Sequence, residues 1–180
     1  MLLKTDGVES WSCLIGQHNA YNLLAIYCTA LALGTDKQEA LVALSTLEAA
    51  SGRLETISGP RGLTVVIDYA HTPDALENVL KTLREVSDKS ELICLFGCGG
   101  DRDKTKRPEM GAIAQKYADR IFLTSDNSRS ERTEDILEDI KQGLDNAGLA
   151  KTLSIADRKE AIRTAIMLAP QGATILLAGK

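Results

Sequence analysis

The sequence has neither an excess of basic residues nor a long apolar run, and these absences exclude several classes of protein. Its 21 Lys and Arg residues are outnumbered by 25 Asp and Glu residues, which gives a net charge of -4. Because a nucleic-acid-binding face is normally basic, we expect no nucleic-acid partner. The apolar stretches are far shorter than the roughly 20 residues of a membrane span, so we expect no membrane segment. Residues 1–12 also lack the basic region and apolar core of a signal peptide.

Cysteine and histidine are too few and too scattered to predict a metal cluster. The chain has four cysteines and two histidines. Cys94 and Cys98 are close in sequence, but no second cysteine pair or histidine follows at zinc spacing. Three of the four cysteines lie in apolar runs. This pattern predicts small buried residues in a reducing compartment, and therefore a cytoplasmic protein.

Two common nucleotide-binding motifs are missing as well. The chain contains no Gly-x4-Gly-Lys-Ser/Thr sequence, so it has no P-loop of its own. The segment that begins Gly97-x-Gly99 is not a dinucleotide fingerprint, because Arg102 stands where the third glycine should be. Any nucleotide bound by this chain would therefore need other contacts.

Residues 1–50 read as helical, whereas residues 63–180 alternate between strands and helices. Apolar residues recur at helical spacing over residues 19–33, and Asp36 can cap a second helix. Glycine and proline punctuate residues 51–62, which we interpret as a linker between two domains, and this segment contains a short strand-like run at Leu54–Ile57. Strands are predicted at 63–67, 92–96, 121–124, 152–155 and 173–178, with helices at 72–86, 106–118, 133–143 and 158–168. This alternation predicts an α/β fold with a Rossmann-like, doubly wound and mostly parallel sheet.

Polar residues gather directly after three of the predicted strands, at residues 68–71, 97–104 and 125–129. Ligands of doubly wound sheets bind at the carboxyl ends of the strands, so we expect these loops to line one edge. The second loop combines glycines with the cations Arg102, Lys104, Lys106 and Arg107, which suit carboxylates or phosphates. The third loop combines an acid, an amide and a guanidinium, which suit a zwitterion.

Each of these features also has an ordinary structural interpretation. The second loop could be a solvated basic loop, and the third a plain turn rich in turn-forming residues. Asp68 could cap a helix, and His71 could be a satisfied loop histidine. Asn19 stands near a helix start, where asparagine is commonly a cap.

Four segments, in order, resemble motifs of the Mur ligase family. They are Gly16-Gln-His-Asn19-Ala-Tyr-Asn22, Ser51-Gly-Arg53-Leu-Glu, Asp68-Tyr-Ala-His-Thr-Pro-Asp74, and Gly97-Cys-Gly-Gly-Asp-Arg-Asp-Lys104 followed by Lys106-Arg-Pro108. The resemblance covers nearly all of the chain. It implies the Mur ligase C-terminal domain fold at 63–180, preceded by a helical tail of the central ATP-binding domain.

The resemblance also implies a reaction and its partners. A family ligase of this type uses ATP and Mg²⁺ to activate the D-glutamate carboxylate of UDP-N-acetylmuramoyl-L-alanyl-D-glutamate as an acyl phosphate. The amine of meso-diaminopimelate then attacks this acyl phosphate, in peptidoglycan biosynthesis. We expect such an enzyme to be a monomer. The alternatives are a lysine-adding Mur ligase, a ligase like folylpolyglutamate synthetase, and an isolated amino-acid-binding module.

Site residues carry over by the same resemblance. Nucleotide contacts are expected from Asn19, Asn22, Arg53, Asp68 and His71. Contacts to the incoming amino acid are expected from Arg102, Asp126, Asn127, Arg129 and Gly179. No catalytic or metal-binding residue is expected within the chain.

Residues 126–129 also bear on which amino acid is added. The family's mark for diaminopimelate is Asp-Asn-Pro-Arg, and here it reads Asp126-Asn-Ser128-Arg129. Arg129 favours diaminopimelate over lysine, because only diaminopimelate carries the extra carboxylate. Serine in place of proline should loosen the loop.

The resemblance predicts that the chain is a carboxy-terminal fragment. The family's UDP-sugar domain, P-loop and carbamylated lysine all precede the segment seen here. Its final Gly-Lys-Gly-His-Glu motif is cut after Lys180. We therefore expect the chain to be inactive as a ligase when it is alone.

Overall fold

A computed structural model describes residues 1–14, 16–87 and 90–179, with the side chains of Gln17 and His18 left aside. The chain forms two compact units, residues 1–51 and 52–180. No helix among the described residues is long and apolar enough to cross a membrane.

The first unit consists of a β-hairpin and two helices. The strands are β1 (Leu2–Thr5) and β2 (Val8–Trp11), and the helices are α1 (Gln17–Ala32) and α2 (Lys37–Ser45). Asp36 caps α2 as predicted, because its carboxylate accepts from the backbone amides of Gln38 and Glu39. Helix α1 packs on α2 around a small core formed by Leu23, Tyr27, Ala40, Leu41 and Leu44.

The hairpin corrects the expectation that residues 1–50 are wholly helical. Its two antiparallel strands are joined by Asp6 and Gly7, both with positive φ. Such two-residue turns match the twist of paired strands. Each strand has only four residues, mostly exposed or half-buried. The sequences of these two strands therefore lack the alternation of apolar and polar residues that identifies a half-buried strand.

Among its described residues, the second unit has six strands and five helices. The strands are β3 (Glu55–Ser58), β4 (Thr64–Asp68), β5 (Leu92–Phe96), β6 (Arg120–Leu123), β7 (Thr152–Ser154) and β8 (Thr174–Ala178). The helices are α3 (Pro73–Val86), α4 (Lys106–Tyr117), α5 (Thr133–Lys141), α6 (Asn146–Ala150) and α7 (Arg158–Leu168). A single 3-10 turn, Pro60–Gly62, separates β3 from β4.

The six strands form one sheet in the order β3-β4-β8-β5-β6-β7. Only β3 runs antiparallel to its neighbour, and all other pairs are parallel. This confirms the predicted Rossmann-like, mostly parallel sheet. All five residues of β5 are buried, as expected for a strand covered on both faces.

Helices cover both faces because the chain changes direction after β7. It moves outward in the sheet from β5 to β6 and β7, and then returns to β8 in the middle. Because crossovers between parallel strands are right-handed, this reversal places α7 on the face opposite α3, α4 and α5. Helix α7 presents Ala161, Ala165 and Ala169 to Ile93 and Leu95 of β5. Small side chains let this helix lie close to the sheet, directly behind the strand ends.

Within the segment interpreted as a linker, 51–62, the strand-like run at 54–57 is confirmed as strand β3, which lies in the second unit. Other sequence expectations need correction. Of the cysteines, only Cys94 and Cys98 are buried, whereas Cys13 and Cys28 are exposed. Helix α6 was not predicted because it has only five residues.

Candidate functional site

The polar loops of the second unit lie along one edge of the sheet, as predicted. One loop follows each of β4, β5 and β6, and Gly179 directly follows β8. Because β4, β8, β5 and β6 are consecutive in the sheet, their carboxyl ends are neighbours. This edge therefore collects most of the predicted site residues.

Asp68 is buried and its carboxylate is used inside the fold. One oxygen accepts from the backbone amide of Leu54 at 2.9 Å and the other from that of Ala70 at 2.8 Å. Leu54 has a positive φ, so this carboxylate stabilises an unfavourable turn before β3. The alternative that Asp68 caps a helix is wrong, because Thr72 caps α3. Asp68 instead ties the start of β3 to the end of β4.

Arg53, Tyr69 and His71 form an exposed cluster beside Asp68. The Arg53 guanidinium lies 5.2 Å from the centre of the Tyr69 ring, and the His71 ring meets Tyr69 edge-on at 4.8 Å. The Lys106 ammonium donates to the His71 carbonyl at 2.9 Å. Two cations and an aromatic face thus lie together, a combination that suits a phosphorylated nucleoside. Sequence reasoning did not single out Tyr69, although it lies within a quoted motif.

The loops after β5 and β6 are joined so closely that only glycine fits at two positions. A Cβ on Gly97 would lie 2.1 Å from the Thr124 carbonyl oxygen, and one on Gly100 would lie 1.9 Å from that of Ser128. The Gly100 amide donates to the Asn127 carbonyl at 2.9 Å. These glycines therefore serve backbone contact between the loops.

The cationic residues of the second loop have different roles. The prediction that all four of them donate to a ligand is therefore wrong. Arg107 is fully buried and pairs with Glu131 and Asp139. Lys104 also pairs with Glu131, at 2.9 Å. Arg102 is exposed and has no hydrogen bond or ion pair with the residues that the structure describes. Among the cations of this loop, Arg102 is therefore the one left to meet a ligand.

Arg129 extends from the third loop to the second. It has a positive φ, and its guanidinium donates to the Gly100 carbonyl at 2.7 Å. No ion pair of Arg129 is found in the described part of the chain, and its side chain is exposed. The loop is not left loose by Ser128, whose hydroxyl lies 2.7 Å from that of Thr133 at the start of α5. Arg129 therefore presents an exposed positive charge on a loop that hydrogen bonds hold in place, near the exposed Asn127.

Asp126 and Gly179 meet although their strands are separated by β5. A Cβ on Gly179 would lie 3.7 Å from Asp126 Oδ2. Gly179 has φ 86, and its amide donates to the Asp68 carbonyl at 3.0 Å. A half-buried carboxylate thus faces half-buried backbone, an arrangement that can accept an ammonium group. Lys180, which follows Gly179, lies outside the described residues.

Asn19 and Asn22 lie on α1, in the first unit. Asn22 Nδ2 donates to Asn19 Oδ1 at 3.4 Å, so the two amides share one exposed surface. The residue at the helix N-cap is Gly16, so Asn19 lies within the first turn of α1 and not at the cap position. The alternative that Asn19 is the N-cap residue is therefore wrong.

No group of three His, Cys, Asp or Glu side chains among the described residues could hold a metal ion. Asp101 and Asp103 stand in the second loop, but their carboxylates are used by Ser130 and Thr105 respectively. These hydrogen bonds lower the pKa of both groups.

Comparison with known proteins gives consistent matches. The family model described as "Mur ligase, glutamate ligase domain" matches residues 52–180. Proteins named UDP-N-acetylmuramoyl-L-alanyl-D-glutamate--2,6-diaminopimelate ligase are 50% identical in Cytophaga hutchinsonii and 51% identical in Parabacteroides distasonis, each over 99% of this chain. The chain spans 37% of the length of either relative.

Solved structures show the same relationship. A structure titled with that ligase name has a TM-score of 0.71 at 40% identity, over 99% of this chain and 37% of its own. Mycobacterium tuberculosis folylpolyglutamate synthase complexed with ADP has a TM-score of 0.76 at 20% identity, over 100% of this chain and 44% of its own. The second likeness concerns the fold alone.

Proposed function

Because the chain belongs to the Mur ligase family, we propose that it forms part of an ATP-dependent ligase for peptidoglycan synthesis. This ligase would add meso-diaminopimelate to UDP-N-acetylmuramoyl-L-alanyl-D-glutamate. Relatives with that name are 50–51% identical over nearly the whole chain. The observation that carries the proposal is the meeting of Asp126 with Gly179, together with the exposed guanidinium of Arg129, which comes from the same loop as Asp126 and forms no ion pair among the described residues.

The amino-acid site would be formed by the loops after β5, β6 and β8. Diaminopimelate has two ammonium and two carboxylate groups, so its binding needs both signs of charge. Asp126 would accept one ammonium group, helped by the backbone at Gly179. Arg102 and Arg129 would each bind a carboxylate, and the exposed amide of Asn127 would add a hydrogen bond.

The nucleotide site would use the cluster after β4. Arg53 and His71 are exposed there, and the Tyr69 ring lies between them. ATP would supply the phosphoryl group that activates the substrate carboxylate. Arg53 would bind phosphate oxygens, whereas Asp68 would act by holding this loop, since both its oxygens already accept backbone amides. Asn19 and Asn22 would contact the adenine.

We propose no magnesium ligand among the residues that the structure describes. Mg²⁺ requires carboxylate and phosphate oxygens in octahedral geometry. The described residues offer no cluster of carboxylates for it. We therefore assign the metal no residue of this chain.

Lysine is the alternative amino acid, and Arg129 argues against it. Lysine carries the same distal ammonium group as diaminopimelate but lacks the carboxylate beside it. With lysine bound, the Arg129 guanidinium would have no substrate carboxylate to bind, and that charge-assisted contact would be lost. A ligase like folylpolyglutamate synthetase has only the shared fold in its favour.

The proposal can be tested in a chimeric ligase. This chain would replace the matching segment of the Parabacteroides distasonis relative, which is 51% identical over 179 residues. We expect phosphate release that depends on the UDP-dipeptide, ATP and meso-diaminopimelate together. A chimera that is folded by circular dichroism but uses glutamate or lysine in preference would overturn the assignment.

A further inference from the structure

Arg158 joins two strand ends that are not neighbours in the sheet. It is the first residue of α7, and its guanidinium donates to the Ser125 carbonyl at 3.3 Å and to the Ala178 carbonyl at 2.9 Å. These carbonyls end the β6 and β8 segments, with β5 between them. The residues that follow them are Asp126 and Gly179.

The Arg158 charge is partly buried and has no ion pair among the described residues. Burial lowers the pKa of the guanidinium, and the charge of Asp126 acts in the opposite direction. A partly buried cation without an acidic partner is unfavourable unless dipoles or nearby charge compensate it. Here the two carbonyls and the nearby Asp126 provide that compensation.

We propose that Arg158 is a positioning residue of the amino-acid site. It holds the loop after β6 and the end of β8 so that the Asp126 carboxylate faces Gly179. It also places a positive charge close to Asp126. This inference rests on the proposed function, since it assumes that Asp126 and Gly179 bind the incoming amino acid.

Arginine is suited to this role for a geometric reason. Its planar guanidinium carries several N–H donors in a fixed fork, so it can bond two carbonyls that diverge. A lysine ammonium is a compact group on a flexible stem and would reach one carbonyl at a time. Methionine would fill the space but would donate to neither. The three side chains therefore form a graded series.

A first experiment measures how strongly the amides at the strand ends are protected from exchange in the 180-residue chain, without any ligand. Amide hydrogen exchange by NMR would be compared for wild type, Arg158→Lys, Arg158→Met and the control Arg163→Met. Arg163 lies on the exposed side of α7 and pairs with Glu160. We expect the Gly179 amide, which donates to Asp68, to exchange about tenfold faster in Arg158→Met and by an intermediate factor in Arg158→Lys. Unchanged exchange would overturn the positioning role.

A second experiment measures kinetics in the chimeric ligase. We expect Arg158→Met to raise the KM for meso-diaminopimelate about tenfold, with the KM for ATP within about twofold of wild type. Arg158→Lys should recover part of the loss, and Arg163→Met should behave as wild type. A general folding defect would instead change both KM values or the protein's circular dichroism.

The two experiments separate the two proposals. If the wild-type chimera uses another amino acid, the proposed function fails, whereas the exchange result still reports on Arg158. If the wild type uses meso-diaminopimelate and Arg158→Met does so equally well, the role of Arg158 fails and the proposed function stands.

Discussion

Arg107, in the first turn of α4, forms a two-bond ion pair with Glu131, which lies just before α5. The guanidinium donates to Glu131 Oε2 at 3.0 Å and to Oε1 at 2.9 Å, and it also reaches the Gly99 carbonyl at 3.2 Å. Asp139 accepts a further bond at 2.8 Å. Because Arg107 is fully buried, its charge depends on these partners.

Replacing Arg107 should therefore destabilise the protein strongly. Removing one member of a buried ion pair costs roughly 3–5 kcal/mol. We expect Arg107→Met to fall near the lower end, about 3 kcal/mol, because Glu131 keeps Lys104 as a partner. Urea unfolding followed by far-UV circular dichroism measures the change. The surface variant Arg163→Met should change the unfolding free energy by less than about 0.5 kcal/mol, and an equal loss in both variants would contradict the prediction.

Gly99 and Gly100 should respond differently to the same substitution. A Cβ on Gly100 would overlap the Ser128 backbone, whereas one on Gly99 would first meet the tip of the Arg129 side chain, at 3.0 Å. A side-chain tip can move and a backbone carbonyl in a tight loop cannot. We expect Gly100→Ala to cost about 1–3 kcal/mol of unfolding free energy and Gly99→Ala much less. Thermal unfolding of the two variants provides the comparison, and equal melting temperatures would count against it.

A pH dependence follows from Glu77. A hydrogen bond from Tyr117, and then one from Lys81, lowers the pKa of Glu77 to about 2. A carboxylate with a lowered pKa in the folded state adds stability above its unfolded pKa of about 4.3. That contribution is lost as the pH falls through the folded value. We expect Glu77→Gln to be less stable than wild type at pH 7, with the difference shrinking between about pH 4.3 and pH 2.

Urea unfolding at several pH values tests this dependence. The matched control is Glu138→Gln, which removes an exposed helical pair with Lys141. Such pairs contribute little, so the control should stay close to wild type throughout. A Glu77→Gln difference that grows toward acid pH would contradict the sign of the argument.

The central part of the fold could be predicted from the sequence because its strands are short apolar runs between polar loops. The bounds of β5 and α7 match the prediction to the residue, since Leu92–Phe96 is wholly apolar and α7 begins after its cap, Asp157. The hairpin of the first unit was not predicted, because the residues of its two short strands are exposed or half-buried. Edge strands bury little, so they leave only a weak pattern.

The candidate site was predictable in its location but not in its internal contacts. Motifs after strands identified the loops, because parallel strands end at one edge. Local sequence could not indicate that Arg107 is buried while Arg102, five positions earlier, is exposed. That difference depends on Glu131 and Asp139, which come from distant segments. Arg158 was missed for the same reason, since its partners are two backbone carbonyls.

Thiol reactivity should distinguish two pairs of cysteines. Cys94 is buried and its pKa is raised to about 12, and burial raises the pKa of Cys98 to about 11. Cys13 and Cys28 are exposed. We expect a disulfide reagent at pH 8 to modify Cys13 and Cys28 quickly and the other two only after unfolding, because the thiolate is the reactive form. The double variant Cys13→Ser/Cys28→Ser should show no fast phase, and a remaining fast phase would contradict the burial.

Arg129 should determine which amino acid the chimeric ligase accepts. Its exposed guanidinium donates to the Gly100 carbonyl and forms no ion pair among the described residues. A substrate carboxylate can therefore bind it. Losing one charge-assisted hydrogen bond costs roughly 1.5–3 kcal/mol. We therefore expect Arg129→Ala to raise the KM for meso-diaminopimelate about tenfold or more, with the KM for ATP nearly unchanged.

A neighbouring arginine provides the control for this prediction. Arg132 is exposed and pairs with Glu134, so Arg132→Ala should leave both KM values near those of wild type. Arg102→Ala should also impair use of the amino acid, since Arg102 is exposed and forms no ion pair among the described residues. Steady-state kinetics with lysine and meso-diaminopimelate would decide the specificity. If the unaltered chimera used lysine and meso-diaminopimelate equally well, Arg129 would not be selecting the substrate by its carboxylate. Ser128→Pro would then test whether the serine in this loop is the cause, since proline there should restore discrimination.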